Sequence, residues 1–398
     1  MCGIICYSGK RPALPILLEG LKRLEYRGYD SSGLAIVGAS GVECHKAVGH
    51  IRALELELTG ARLQGGVGIG HTRWATHGKP SIENAHPQFD CQERIFVIHN
   101  GIIENNRALK EELIARGHRF RSETDSEILA HLIEEHLQDD LEEALVQSLQ
   151  MVQGTYGVGV LSADHPDRIL VARQGSPLIL GTGDGEVFAA SDVSAVVNHT
   201  RNVIYLQDDD IATLHADGYE ISNLKTQPIR RTVHQVEWDV VDAEKQGYPH
   251  FMLKEIHEQP EAVRNATRGR LLESEGTSKL GGLGVVGDLL ARMDRLLIVS
   301  CGTSYYAGML GRYLIESATD IAVEVDLASE FRHRKLNLKE GTVVLAISQS
   351  GETADTLAAI REAKRKGILT LGLVNVVGST IARETDAGIY NHAGPEIG

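Results

Sequence analysis

Cys2 stands directly after the initiator methionine and before a glycine. A small second residue permits removal of Met1, and the thiol then shares its residue with a free α-amino group. Such an amine has a pKa of about 8 and can accept the thiol proton, so nucleophile and general base are one residue and no distant histidine is required. The same cysteine also reads as an apolar residue at the start of a strand, so its neighbours must decide. Arg73 offers a planar fork for a carboxylate, or else a solvated surface charge. Asp125 can hold an ammonium group, while Thr124-Asp-Ser-Glu127 is equally a capping-box pattern at a helix start. Asn100 and Gly101 follow an apolar strand candidate. They can aim a side-chain amide and a backbone N–H at one developing oxyanion, or close a simple Asn-Gly hairpin.

Five motifs occur in order within the first 125 residues: Met1-Cys-Gly-Ile-Ile, Glu25-Tyr-Arg-Gly-Tyr-Asp-Ser, His71-Thr-Arg-Trp-Ala-Thr-His-Gly, His99-Asn-Gly-Ile-Ile-Glu-Asn and Ser122-Glu-Thr-Asp. Together they resemble the glutaminase domain of the glutamine:fructose-6-phosphate aminotransferase (isomerizing) family, in which an N-terminal-nucleophile hydrolase is coupled to a sugar isomerase. The resemblance covers the whole chain. It implies an αββα glutaminase sandwich in which Cys2 attacks glutamine and Asn100 and Gly101 stabilise the oxyanion. It also implies that Arg73, Trp74, Thr76, His77 and Asp125 surround the glutamine, with Trp74 gating ammonia and Arg27 near the nucleophile. The residue types suit that substrate, because glutamine presents a carboxylate, an ammonium and a carboxamide, which call for a cation, an anion and an oxyanion pair.

A second set of residues sits in two strand-to-helix turns, Cys301-Gly-Thr-Ser-Tyr and Ser348-Gln-Ser-Gly-Glu-Thr-Ala-Asp-Thr. Free N–H groups at a helix start favour a phosphate, and hydroxyls add donors; the same hydroxyls also serve as plain helix caps. No Gly-x4-Gly-Lys-Ser/Thr loop is present, which disfavours nucleoside triphosphate cleavage. These turns, and Phe251-Met-Leu-Lys-Glu-Ile-His-Glu-Gln-Pro before them, resemble the sugar-isomerase (SIS) domain of the same family. The resemblance carries Thr303, Ser304, Ser348, Gln349, Ser350 and Thr353 over as contacts to fructose 6-phosphate. The family's isomerase chemistry uses a glutamate, a histidine and a lysine that are expected beyond residue 398.

The elements that must hold these residues follow from periodicity. Up to about residue 235 the chain reads as α+β. A helix around Leu109 and Leu113 ends at Gly117, and another begins near Thr124 and runs through Ile128, Leu129, Leu132, Ile133 and Leu137. Strand candidates lie at 66–70, 95–99, 158–161, 169–172 and 187–190. We expect a type-2 glutamine amidotransferase domain over 1–225, a linker over 226–247 and a first, incomplete SIS domain over 248–398. There, helix to about Leu272 gives way to strand, turn and helix alternating from Arg295, the pattern of a partial, doubly wound α/β lobe. Only three or four βα units are read before Gly398, so a C-terminal truncation is expected.

Composition narrows the rest. The 398 residues suggest more than one domain, and a 42% hydrophobic, 24% charged composition suits globular units. The net charge of −14 argues against nucleic-acid or anionic-membrane binding. No signal peptide or long apolar run is seen, and five cysteines without a C-x-x-C pair suggest free thiols in the cytoplasm. His71, His77, His86 and His99 lack zinc-type spacing, so no metal and no cofactor is expected. Gly282-Leu-Gly-Val-Val-Gly287 has the letters of a dinucleotide fingerprint but no preceding strand, and reads as a turn approaching a helix. The expected substrates are L-glutamine and fructose 6-phosphate, in an enzyme that is a homodimer when intact and of which this chain keeps the glutaminase capacity. Asparagine synthetase and amidophosphoribosyltransferase lack support, since neither an ATP-pyrophosphatase Ser-Gly-Gly loop nor a diphosphate-binding acidic loop is found. The remaining alternative is a sugar-phosphate-binding module with a vestigial glutaminase.

Overall fold

The structure, a computed structural model, describes residues 2–396 apart from 40, 62, 76, 77, 237–247, 336, 337, 340 and 395, and without the side chains at 26 and 273. The chain divides into two compact units, Met1–Val240 and Val241–Gly398.

The first unit contains β1 (Gly3–Gly9), α1 (Ala13–Leu24), β2 (Ser31–Gly38), β3 (Gly41–Val48), α2 (Ile51–Glu57), β4 (Val67–Arg73), β5 (Gln88–Phe89) and β6 (Ile95–Ile103). Three helices follow, α3 (Asn106–Ala115), α4 (Glu127–His136) and α5 (Leu141–Met151). The unit then continues with β7 (Gly154–Ser162), β8 (Arg168–Gln174), β9 (Ile179–Gly183), β10 (Glu186–Ala190), β11 (Asn202–Tyr205), β12 (Asp210–His215), β13 (Gly218–Asn223) and β14 (His234–Gln235). Eight strands form one sheet in the order β14-β11-β9-β10-β1-β4-β2-β3, and six form another in the order β13-β12-β8-β7-β6-β5.

Strand alternation sends Ile4 and Cys6 to one face of β1 and Ile5 and Tyr7 to the other. Ile4, Cys6, Ile69, Phe96, Ile98 and Val171 fill the space between the sheets. Ile5 and Tyr7 pack under Leu17, Leu21 and Leu24 of α1 and Ile51 and Leu54 of α2. On the far side, Val97, Val158 and Val160 pack against Leu109, Leu113, Ile128, Leu132 and Leu145 of α3, α4 and α5. Each such buried aliphatic side chain contributes about 1.5–3 kcal/mol. The layers are therefore αββα, as expected. Helices α1 and α5 were not read from the sequence, although Leu17-Leu21-Leu24 and Leu141-Leu145-Leu149 carry helical spacing. Asp140 caps α5 by accepting from the Glu142 N–H at 2.8 Å.

The segment expected as a linker is attached to the first unit over its early residues. Arg231 grips the Asp210 carboxylate through two bonds of 2.8 and 2.6 Å, and β14 pairs with β11. A polar stretch can add an edge strand and an ion pair without contributing much to a core, which is why its composition resembled a linker.

The second unit contains α6 (Phe251–Thr267), β15 (Leu271–Leu272), β16 (Thr277–Ser278), α7 (Gly287–Leu290), β17 (Arg295–Ser300), α8 (Thr303–Ala318), β18 (Ala322–Leu327) and α9 (Ala328–Phe331). It continues with β19 (Thr342–Ser348), α10 (Ala354–Arg365), β20 (Leu369–Val374), α11 (Thr380–Glu384) and β21 (Ala387–Tyr390). The glycines at 282–287 lie in a 3-10 turn, Gly281–Val286, leading into α7. Five parallel strands form a sheet in the order β18-β17-β19-β20-β21. Leu296 and Ile298 face one layer, with Val286 and Ile315, while Leu297 and Val299 face another, with Leu357, Ile360 and Phe331. The doubly wound sheet is as expected, with five strands where the sequence reading found three or four βα units. Strand β18 was missed because Ala322–Leu327 carries Glu324 and Asp326, and β21 because it is four residues long.

Candidate active site

Because β1 and β4 are antiparallel with Gly3 opposite Thr72, the start of β1 meets the end of β4. Cys2 is thereby placed against Trp74, whose N–H donates to Cys2 Sγ at 3.2 Å; the thiol lies 3.5 Å from the Trp74 carbonyl. Burial pushes the Cys2 thiol pKa up, opposed by the Trp74 N–H and by the charges of Arg73 and Arg27. The Cys2 carbonyl accepts from Asn100 Nδ2 at 2.9 Å and from Arg27 Nε at 3.3 Å. Arg27 is in turn paired with Asp192 at 3.1 Å. The nucleophile's main chain is thus held from both sides.

Asn100 and Gly101 do not form a hairpin turn. They lie inside β6, opposite Gly157 and Tyr156 of β7. Gly101 has φ 142°, and a Cβ there would fall on the Thr155 carbonyl oxygen, so the position requires glycine. The Asn100 amide is oriented by a residue that the sequence reading considered only as a possible metal ligand. His71 Nε2 lies 3.1 Å from Asn100 Oδ1 and 3.1 Å from the His99 carbonyl, two acceptors, so this nitrogen carries the proton. Burial holds the His71 imidazole neutral, with its pKa lowered to about 3. Its ring stacks on that of His86 at 4.1 Å. With its oxygen capped by His71, the Asn100 amide turns its NH2 toward Cys2, and the amide's second N–H is not needed by the Cys2 carbonyl. The alternation of His71 and Arg73 on one face of β4 was the sequence signal for this role.

Arg73 ends β4 and is buried. Burial lowers its pKa, while the charges of Cys2, Asp30 and Asp125 pull it back up, which places it within electrostatic reach of all three. It donates to the Gly78 carbonyl at 3.1 Å. Asp125 lies ahead of α4 and accepts from the Ile103 N–H at 2.8 Å. The capping-box reading of Thr124 to Glu127 is not borne out. Glu127 turns back to accept from the Arg121 and Ser122 N–H groups at 2.7 and 2.6 Å, and Ser126 is the N-cap residue, without a side-chain capping bond. Trp74 is 44% exposed, and its ring meets Tyr29 edge-on at 5.3 Å. Thr76 and His77 lie outside the described residues.

In the second unit, β17 and β19 are neighbours in the sheet, and the chain leaves them toward opposite edges. Their C-terminal ends therefore flank the switch point where such sheets bind ligands. Thr303 and Ser304 open α8, a 16-residue helix. Gln349 and Ser350 follow β19, and Thr353 precedes α10. Ser348 is not presented outward: it is buried, its Oγ accepting from the Gly351 N–H at 3.0 Å and lying 3.2 Å from Thr353 Oγ1. Gly351 has φ 65°, and a Cβ there would collide with Ser379. The turn between Ser348 and Thr353 is thus closed by its own hydrogen bonds, the Glu352 N–H donating to Ser350 Oγ at 3.2 Å.

The comparisons agree with this division. Residues 71–198 match the glutamine amidotransferase domain and residues 289–398 match the SIS domain. The glutamine–fructose-6-phosphate aminotransferase [isomerizing] of Chlorobaculum tepidum is 51% identical over 405 residues, covering 100% of this chain and 66% of that protein. The protein of the same name from Thermus thermophilus is 51% identical over 402 residues, covering 100% and 65%. In fold, the chain is similar to the glutamine phosphoribosylpyrophosphate amidotransferase of B. subtilis, with TM-score 0.52 and 18% identity over 98% of this chain and 90% of that one. That likeness concerns the fold alone. Fold and motifs define a glutamine amidotransferase of the N-terminal-nucleophile class joined to a SIS domain. The chain belongs to the glutamine–fructose-6-phosphate aminotransferase (isomerizing) family and spans about two thirds of the length of the curated relatives it matches.

Proposed function

We propose that the chain hydrolyses L-glutamine at Cys2, and that in the complete reaction the ammonia released aminates fructose 6-phosphate to glucosamine 6-phosphate. The convergence on Cys2 carries this reading, above all the Asn100 amide held 2.9 Å from the Cys2 carbonyl by a neutral His71. Removal of Met1 frees the Cys2 amine, which takes the thiol proton as Sγ attacks the carboxamide carbon. Asn100 Nδ2 and the Gly101 N–H receive the oxyanion. Its collapse returns the proton to the leaving nitrogen and expels ammonia, leaving a glutamyl thioester that water hydrolyses to glutamate and free thiol. Arg73 binds the glutamine carboxylate and Asp125 its ammonium, with Trp74, Thr76 and His77 around them. Arg27 holds the nucleophile's main chain, and gating of the released ammonia is assigned to Trp74, whose backbone meets the thiol.

Fructose 6-phosphate is assigned to the two switch-point turns. Ser350, Thr353, Thr303 and Ser304 face its phosphate and hydroxyls with Gln349, while Ser348 shapes the turn. Pairing of two copies through the second unit would cover Tyr306, Leu310, Tyr313 and Leu314, an exposed apolar stripe on α8. Five free cysteines suit a reducing cytoplasm, and among the described residues no helix is long and apolar enough to cross a membrane. The test is glutamate release by the purified chain and by Cys2→Ala. Release that depends on Cys2 is expected, and equal rates overturn the nucleophile assignment. Binding of fructose 6-phosphate without any Cys2-dependent glutamate release would instead favour a sugar-phosphate-binding module.

A further inference from the structure

Far from the nucleophile along the chain, four side chains from three segments converge on one point: Cys91 in the turn between β5 and β6, His118 after α3, and His131 and Glu134 on α4. His118 Nδ1 and His131 Nδ1 are 3.3 Å apart. Cys91 Sγ lies 3.8 and 3.7 Å from them, and Glu134 Oε2 lies 3.0 and 3.2 Å from them. A tetrahedral zinc ion at ordinary Zn–N, Zn–O and Zn–S lengths holds its ligand atoms about 3.3–3.6 Å apart. The observed edges bracket that range. Hydrogen bonding to Glu134 accounts for the two imidazole–carboxylate distances, but not for two Nδ1 atoms and a sulfur facing each other across the same small space.

The surroundings have the form that metal-bound histidines require. Such a histidine turns its second ring nitrogen to a carboxylate or carbonyl, which fixes the tautomer. His118 Nε2 meets Glu135 at 3.0 Å, and His131 Nε2 faces Glu127 at 3.6 Å. The Arg119 N–H donates to Cys91 Sγ at 3.4 Å. Both histidine side chains are at most 8% exposed. A thiolate and a carboxylate with two neutral imidazoles carry two negative charges, which a divalent ion cancels. Ligand separations of 27, 13 and 3 residues match no zinc spacing motif, so the expectation of no metal, which rested on four other histidines and on the lack of a C-x-x-C pair, missed this set.

We propose that Cys91, His118, His131 and Glu134 form a structural zinc site. All four positions are filled by protein, which leaves no place for substrate. The ion ties the β5–β6 turn and the segment after α3 to α4. Through Glu127, which also holds the Arg121 and Ser122 N–H groups, it braces the stretch leading to Asp125.

The test uses the full chain purified without chelator. Elemental analysis is expected to find about one zinc ion per chain, or uptake of about one after incubation with Zn2+. Replacement by Co2+ should give the visible bands of tetrahedral cobalt together with a near-ultraviolet thiolate-to-cobalt band. Cys91→Ser should abolish the thiolate band, and Cys2→Ser should leave it intact. Glu134→Gln should keep the thiolate band and shift the visible bands, an outcome that unfolding cannot imitate. The proposal is overturned if folded wild-type chain takes up no more Zn2+ or Co2+ than Cys91→Ser, or if the thiolate band survives in Cys91→Ser.

Discussion

Replacing Asn100 by alanine separates catalysis from folding, because the structure gives its neighbours second partners. The Cys2 carbonyl loses a bond of 2.9 Å but keeps Arg27 Nε at 3.3 Å. His71 Nε2 loses the Asn100 oxygen but keeps the His99 carbonyl at 3.1 Å. Neither group is orphaned, so the stability cost should stay near the net value of one hydrogen bond, about 1 kcal/mol. Loss of the proposed oxyanion donor should cost about 3–4 kcal/mol of barrier, or 10²–10³-fold in kcat. Asn100→Asp keeps an oxygen for His71 yet sets a second oxygen against the Cys2 carbonyl, and should be at least as slow. The assay is glutamate release at saturating glutamine, with a urea midpoint for each variant. A fall in kcat of less than tenfold, about 1.4 kcal/mol, in folded Asn100→Ala would refute the oxyanion role. So would a stability loss as large as the loss in barrier stabilisation.

Arg73→Lys replaces a planar fork by a point charge and should raise KM for glutamine about 10–100-fold, with kcat changed little; an unchanged KM removes Arg73 from the carboxylate site. Gly101→Ala places a Cβ on the Thr155 carbonyl at φ 142°, and a loss of at least about 1–3 kcal/mol is expected in urea unfolding. His71 stays neutral in the folded chain down to about pH 3, whereas an unfolded histidine takes up its proton at 6.5. The unfolded state therefore binds more protons between these values, so stability present above pH 6.5 is lost as pH falls. From His71 alone the loss is about 2 kcal/mol by pH 5, and buried His86, whose pKa is also lowered, adds in the same direction. Urea midpoints at pH 7 and 5 test this, and His71→Asn should flatten the dependence. Intact mass should show Met1 absent from active protein; full activity with Met1 retained would exclude the Cys2 amine as the base.

Much of the architecture was legible because burial imposes period. Helices α3 and α4 and strands β4, β6, β7, β8 and β10 announce themselves through spacing or apolar runs, as do β17, β19 and β20. Strand β18 did not, because Glu324 and Asp326 break its apolar run. The capping-box letters at Thr124 misled for a different reason. A glutamate beside free N–H groups on two sides takes whichever the fold brings closer, and here those belong to Arg121 and Ser122.

The sequence by itself determined the chemical inventory: a cysteine able to become the first residue, an Asn-Gly pair after an apolar strand, an arginine and an aspartate, and two hydroxyl-rich turns after parallel strands. Only the tertiary structure decided that Asn100 and Gly101 lie within a strand instead of a turn, and that a buried, neutral His71 aims the Asn100 amide at Cys2. It alone also gathers Cys91, His118, His131 and Glu134. The reason is that these relations join atoms distant along the chain, with His71 and Asn100 on different sheets and the Cys91 cluster drawn from a turn, a loop and a helix. Local propensity and spacing carry no information about which distant segments the packing of two sheets and three helices brings face to face.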